Sequence, residues 1–358
     1  MGNFGSWDFS KAVKKLAIGK TMNQTTNQTN ESLRMIDISV VIPVYEAEGC
    51  LHELYRRLVE SLDALQLAFE IIMVEDCGGD SSWDVIQELA AQDDRLRGFK
   101  LSRNFGQHNA ITAGLDQVRG DWIVIMDCDL QDKPEDISRL IEKTREGFDV
   151  VIARNLVRRH SWFKQVTAKA FYKVFSWFAG YHYQDGVRSF RIISRDAANA
   201  LRAMREQMRS IGALGMWIGF SSTYINIELE PRYAGRSSYS IRRLLSLAFN
   251  NIVAFSDRPL RISIIVGFVM AGCAFAYGLY TVMLAMFHDI PVPGWASLIT
   301  SLYFIGGLIL ANLGVVGVYI GKTFDEAKGR PLYLIARRTR SYRGGELVPL
   351  FPKQERSL

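Results

Sequence analysis

Two stretches of this 358-residue chain, residues 262–287 and 295–320, carry no charged side chain. Each exceeds the ~20 residues an α-helix needs to cross the hydrocarbon core of a bilayer. One such run would fit a buried core helix; two in succession predict a transmembrane hairpin. The segment between them, residues 288–294, is short and holds no lysine or arginine. Arg258 and Arg261 precede the first run, and Lys322, Lys328, Arg330, Arg337, Arg338, Arg340 and Arg343 follow the second. Basic residues gather on the cytoplasmic side of membrane spans, so both ends of the hairpin are expected in the cytoplasm, together with the chain that precedes it. Gly267, Gly272, Gly278, Gly306, Gly307, Gly314 and Gly317 suit close packing of such helices.

The first two-thirds reads as a soluble protein. The net charge of +6 and pI near 9.1 suit anionic lipid or phosphate ligands. No DNA- or RNA-recognition motif accompanies the charge, so nucleic acid is not an expected partner. Cys50, Cys77, Cys128 and Cys273 form no CxxC pair and read as isolated, reduced thiols rather than a zinc site. Residues 1–34 lack the apolar core of a signal peptide and include the polar run 23–30, which cannot bury enough apolar surface to order itself. They read as a disordered leader. Lys11, Lys14 and Lys15 beside Trp7, Phe9 and Leu16 leave contact with a membrane surface open.

From residue 38 the hydrophobic pattern switches period. Residues 38–43, 69–74, 98–101 and 121–126 are short β-rich runs, and 49–67, 82–89 and 109–118 are helical. Strands alternating with helices predict a mainly parallel α/β sheet, whose ligands bind at the carboxyl ends of the strands. Polar clusters fall at those ends: Glu46 and Glu48, Glu75 and Asp76, Arg103 and Asn104, Asp127 and Asp129. In Asp127-Cys128-Asp129-Leu130-Gln131, two aspartates at i and i+2 can share one hard cation, or split its coordination with a ribose contact. Mg²⁺ or Mn²⁺ takes few protein carboxylates and completes its shell with phosphate oxygens and water. Glu46 and Asp76 also suit turn capping. Residues 240–260, with Arg242 and Arg243 beside an apolar stripe, fit either an amphipathic helix at the lipid headgroups or a domain-packing helix. The basic aromatic stretch Arg158, Arg159, Trp162, Phe163 and Lys164 fits either anionic headgroups or a solvated face.

Together these motifs resemble the family-2, GT-A-type glycosyltransferases. Among these the similarity is to polyprenyl-phosphate glycosyltransferases such as dolichyl-phosphate mannose synthase, bactoprenol glucosyltransferase and the undecaprenyl-phosphate aminoarabinose transferase. It spans roughly residues 38–331. Residues 40–46 resemble the opening strand and loop of that family. Residues 74–81 resemble its DDGSxD-like segment, with Glu75 for the usual first Asp, and 103–110 and 127–131 are the most specific matches. Arg232-Tyr233-Ala234-Gly235-Arg236-Ser237-Ser238-Tyr239 resembles its RxxGxSKY segment, with Ser238 for the usual Lys and Arg236 able to supply the charge. Residues 216–220 match a WIGF-like turn, read as structural.

The resemblance implies residue roles. Pro43, Tyr45, Glu46, Asp76, Arg103, Asp127 and Gln131 would bind the nucleotide-sugar, with Asp76 reading the base. Asp127 and Asp129 would hold Mg²⁺ or Mn²⁺ and the diphosphate. Asp185 would be the acceptor-side carboxylate, an ion pair with Arg188 being its structural alternative. Arg188, Arg191, Arg232, Arg236 and Ser237 would face the acceptor phosphate. The implied fold is a GT-A, Rossmann-like, mainly parallel sheet plus an α-helical transmembrane hairpin. Its expected divisions are a leader at 1–34, the GT-A domain at 35–231, an acceptor loop and juxtamembrane helix at 232–260, two spans at 261–321 and a basic cytosolic tail at 322–358.

The implied reaction is inverting transfer from a nucleotide-sugar, by preference UDP-linked, to a polyprenyl phosphate such as undecaprenyl phosphate. It would take place at the cytoplasmic face of a bacterial inner membrane and serve cell-envelope glycan modification such as that of lipopolysaccharide. A homotetramer is compatible with the resemblance. A processive polysaccharide synthase would need a QxxRW motif and more spans, and a dinucleotide oxidoreductase would need GxGxxG after the first strand; neither motif is present. A non-catalytic scaffold is disfavoured by the intact Asp76, Asp127 and Asp129.

Overall fold

The computed structural model describes residues 36–155, 186–230, 256–287 and 294–339, all within one structural unit that begins at Ile36. Strand β1 (Ile38–Val44) is buried along its whole length, as a β-branched run at the centre of a sheet with helices on both faces must be. On one side of it lie β2 (Phe69–Glu75) and β3 (Leu96–Leu101), and on the other β4 (Trp122–Ile125), all parallel. Helices α1 (Leu51–Ala64), α2 (Ser82–Gln92) and α3 (Gln107–Leu115) make the crossovers. These elements coincide with the expected strands and helices to within a few residues.

Beyond β4 come a 3₁₀ turn (Pro134–Asp136), α4 (Ile137–Thr144), β5 (Val150–Asn155), β6 (Val187–Ser194), α5 (Arg195–Ala203), α6 (Ile211–Trp217) and β7 (Ser222–Ile227). β6 runs antiparallel between β4 and β5, and β7 lies parallel to β5. The sheet order is β7-β5-β6-β4-β1-β2-β3-β8, where β8 is Ile335–Arg338. The mixed, mainly parallel sheet expected of a GT-A domain is therefore present.

The pleat divides the core in two. Val40, Ile42 and Val44 of β1 pack with Leu51, Leu54, Leu58 and Leu62 of α1, while Val41 belongs to the opposite face with Ala110, Ile111 and Leu115 of α3. Helix α3 approaches the sheet closely at Gly114, where a Cβ would lie 2.4 Å from Val41 Cγ1.

Helices α7 (Arg258–Phe287) and α8 (Trp295–Ala327) contain the two charge-free runs. Their large apolar side chains point outward without protein cover, Phe268, Phe275, Tyr303 and Leu310 among them. Among the described residues two helices, over Arg258–Tyr280 and Ser301–Ala327, are long and apolar enough to cross a membrane. A Ser263–Asn312 hydrogen bond and the Tyr319 hydroxyl donating to the Ser256 carbonyl (2.7 Å) set the two helices side by side and antiparallel. After α8 the chain returns to the domain. β8, in the segment expected to be tail, pairs antiparallel with β3, and Gly98 N–H donates to Thr339 Oγ1 at 2.9 Å.

Candidate active site

The sheet reverses its order of addition between β1 and β4, since β2 and β3 extend one side of β1 and β4 begins the other. A crevice forms at the carboxyl end of such a switch point. Pro43 helps to open it. Val41 O accepts Met126 N–H and Val44 O accepts Asp76 N–H, so alternate residues of β1 face β4 and β2. Pro43 thus presents its donor-less nitrogen towards β4, two residues past the last β1–β4 partner pair, Val41 and Ile125. Expected at the nucleotide, Pro43 itself is buried in the strand, whereas Tyr45 is 49 % exposed and Glu46 is exposed at the crevice mouth.

The loops after β1 and β2 are stapled together. Glu48 N–H and Ser82 Oγ–H donate to Asp80 Oδ2 (3.0 and 2.7 Å), Ala47 N–H donates to Ser82 Oγ (3.0 Å), and Ser81 N–H donates to Glu48 Oε2 (3.1 Å). Asp76, at the end of β2, is buried. Its Oδ1 accepts Phe105 N–H at 2.7 Å and its Oδ2 accepts Gly106 N–H at 2.8 Å. Burial pushes its pKa up, while the two amides oppose the shift. The residue expected to read the base therefore also holds the loop after β3. Arg103, expected among the nucleotide-binding residues, stacks on the Phe105 ring with 4.2 Å between guanidinium carbon and ring centre.

The loop after β4 carries three aspartates. Asp127 Oδ1 accepts from Gln107 Nε2 (2.7 Å), and Asp129 Oδ1 accepts from Gln131 N–H (3.1 Å). Asp132 is buried, and the Arg188 guanidinium reaches it at 3.2 Å while also donating to Gln131 Oε1 at 3.2 Å. Enclosure by protein, reinforced by Asp132 and Asp129, pushes the pKa of Asp127 up to about 6. The Cys50 thiol, at the start of α1, donates to the Cys128 carbonyl at 3.0 Å and pins this loop from behind. Glu46, Cys77 and Leu130 all have positive φ, at 49°, 56° and 59°. Each follows one of the strands β1, β2 and β4, and left-handed backbone in non-glycine residues tends to gather at functional sites.

Among the described residues no group of three or more His, Cys, Asp or Glu gathers as a complete metal-ligand set. That excludes a protein-only cage of the zinc or calcium kind there but suits Mg²⁺ or Mn²⁺, which bind through one or two carboxylates and a substrate's phosphates. Repulsion among Asp127, Asp129 and Asp132 is what a divalent cation would relieve.

Arg188 and Arg191 were expected to face the acceptor. Arg188 sits beside the aspartates, paired with Asp132. The Arg191 guanidinium donates to the Ser189 and Arg188 carbonyls (2.9 and 2.8 Å) and so braces that segment. Trp217, in the turn read as structural, is 76 % exposed. Asp185, Arg232, Arg236 and Ser237 lie outside the described residues, as do the basic aromatic stretch, the leader and most of the 240–260 segment. Sequence reasoning missed the roles of Gln107, Cys50 and Asp132. Only Asp132 carried a signal, as a third acid three residues beyond Asp129.

The family model described as glycosyl transferase family 2 matches residues 39–209. An uncharacterized glycosyltransferase, YkcC, of Bacillus subtilis (strain 168) is 36 % identical over 85 % of this chain and 94 % of its own length. A prophage bactoprenol glucosyl transferase homolog of Escherichia coli (strain K12) is 34 % identical over 84 % of this chain and 98 % of its own. The bactoprenol glucosyl transferase of Shigella phage SfX is 33 % identical over 84 % and 99 %. With relatives this similar along nearly their whole lengths, and acidic residues clustered at the switch point of its sheet, the chain belongs to glycosyl transferase family 2.

Proposed function

We propose that this protein transfers a sugar from a UDP-linked nucleotide-sugar to a polyprenyl phosphate such as undecaprenyl phosphate, with inversion at the anomeric carbon. The observation that carries this reading is the Asp127–Asp129 loop at the switch point, in a chain that also holds a hairpin of two membrane-length helices. The names of the bactoprenol glucosyl transferase relatives support a lipid-phosphate acceptor. The basic residues flanking the hairpin support a catalytic domain on the cytoplasmic face of a bacterial cell membrane.

In this reading Tyr45, Glu46 and Asp76 border the base and ribose, Asp76 having acceptor lone pairs beyond those used by its two amides. Asp127 and Asp129 hold Mg²⁺ or Mn²⁺, which when bound offsets the negative charge gained by the departing diphosphate. Arg188, aimed by Asp132 and Gln131, adds positive charge beside the same loop. Gln107 fixes the rotamer of Asp127. The lipid phosphate is already mostly ionised near neutral pH, with a second pKa of about 6, so its oxygen attacks without a strong base. Asp185 then orients the acceptor or takes its last proton. A chain held in the bilayer meets a prenyl phosphate in two dimensions, which raises its local concentration.

The test is transfer of label from a panel of nucleotide-sugars to undecaprenyl phosphate by the purified full-length protein. Labelled lipid is expected with Mn²⁺ or Mg²⁺, and a fall of about a hundredfold or more with EDTA or in Asp129→Ala. Undiminished transfer under both conditions would remove the metal assignment, and absence of transfer from every donor would remove the function.

A further inference from the structure

A cavity of about 1700 Å³ lies between the loop after β3 and the bases of α7 and α8. It exceeds the usual span of small-ligand pockets, roughly 300–1,000 Å³. Five cations line it at the helix bases and just beyond: Arg258, Arg261, Lys322, Lys328 and Arg330. Arg261 is paired with Asp257 at 2.8 Å, but Lys322 and Arg330 make no ion pair among the described residues. Ile262 and Ile265 continue the lining up α7, towards the part of the helix whose apolar side chains have no protein cover. Positive charge below and apolar helix above match the two ends of a phosphate-headed lipid.

None of Asp127, Asp129, Gln131 and Arg188 lines this cavity. A phosphate bound there is outside the acid loop proposed for transfer, and that position favours a lipid other than the substrate. The wall shared with the active site is the loop after β3. Arg103, Phe105 and Asn109 line the cavity, while the Phe105 and Gly106 amides hold Asp76 and the Gln107 side chain holds Asp127.

We propose that the cavity binds the phosphate head of an anionic glycerophospholipid of the bilayer, and that its occupancy orders the 103–107 loop and so tightens binding of the nucleotide-sugar donor. This rests on the transferase reading for the identity of the donor, but not for the lipid itself. Four acidic side chains share the lining: Asp257 and Asp325 are paired with Arg261 and Lys328, Glu326 accepts the Gln207 N–H, and together with Glu206 they are outnumbered by Arg103, Arg258, Arg261, Lys322, Lys328 and Arg330, which leaves a net cationic floor. Long-chain lipid thereby becomes a ligand that reports to the soluble domain that it is seated on a membrane.

The experiment uses the full-length protein in nanodiscs of phosphatidylcholine alone or with phosphatidylglycerol and, for the retention reading, in a further disc that holds phosphatidylglycerol and undecaprenyl phosphate together. Native mass spectrometry after release from the disc reads retained lipid, and calorimetry with UDP reads donor-site affinity. Phosphatidylglycerol is expected to be retained and to tighten UDP binding several-fold. The double variant Arg261→Gln/Lys322→Gln is expected to lose about tenfold or more of that retention, and Arg261→Lys/Lys322→Arg to keep it. Arg261 is 73 % exposed and Lys322 makes no ion pair among the described residues, so neither change threatens the fold. Retention unaffected by the double variant, or retention of undecaprenyl phosphate in place of phosphatidylglycerol, would overturn the proposal. So would UDP affinity that is the same in both discs. UDP binding intact in every disc with no lipid retained would overturn the lipid site and leave the transferase reading standing. Tight retention of phosphatidylglycerol with no UDP binding at all would support the site and defeat the donor assignment alone.

Discussion

Two carboxylates buried to the same degree, Glu70 and Asp132, are held for opposite purposes. Glu70 sits at the amino ends of the strands, away from the crevice. It accepts from Ser39 Oγ (2.7 Å), Arg119 N–H (2.7 Å) and the guanidinium groups of Arg119 and Arg97 (2.7 and 3.0 Å). Burial opposes ionisation, but these partners win and hold the carboxyl below the ordinary glutamate range. A depressed folded-state pKa adds stability above the unfolded-state value, and that stability is lost as pH falls through the folded-state value. Glu70→Gln is therefore expected to cost about 3 kcal/mol in denaturant unfolding at neutral pH, a gap that closes as the medium is acidified below the ordinary glutamate pKa. Asp132, at the opposite ends of the strands, aims Arg188. Asp132→Asn is expected to leave the unfolding midpoint nearly unchanged and to lower kcat by about tenfold to a hundredfold. Arg188→Lys should lose a similar factor, because an ammonium cannot reproduce a fork that reaches Asp132 and Gln131 together. A kcat unchanged in both variants would show Arg188 to be structural.

At the scale of elements, much of the domain was legible because its strands are β-branched runs set between helical periods. β1, β2 and β4 announce themselves by composition, and the acidic residues fall at their ends. β8 did not, since Ile335-Ala336-Arg337-Arg338 reads as charged tail; it is a strand only because β3 offers an unpaired edge. The left-handed turn at Leu130 was equally silent, because leucine carries no preference for that conformation. In the site, Asp127 and Asp129 were visible as a spaced pair, whereas the bond from Gln107 depends on bringing two crossovers together and has no local signature. Close packing of α3 on β1 yields a further prediction. Gly114→Ala would drive a methyl against Val41, a side chain stiff at χ1, and is expected to destabilise the domain by about 1–3 kcal/mol without altering donor affinity in the folded fraction.

At the scale of the whole molecule, orientation can be checked directly. In intact cells, a cysteine introduced at Asp289 is expected to react with a membrane-impermeant maleimide, whereas a tag at Leu358 should become accessible only after the membrane is opened. The reverse pattern would put the domain on the wrong side for a cytoplasmic nucleotide-sugar. The order in which the chain is made adds a consequence. β8 emerges after both apolar helices, yet it covers a strand, β3, that was synthesised long before them. If the hairpin spans a membrane as proposed, the nascent domain presents a bare β-edge until the hairpin has entered the bilayer and turned back. On that reading, completion of the water-soluble half is tied to successful insertion, and a chain that misses the membrane would keep a sticky flank by which quality-control proteases and chaperones can recognise it.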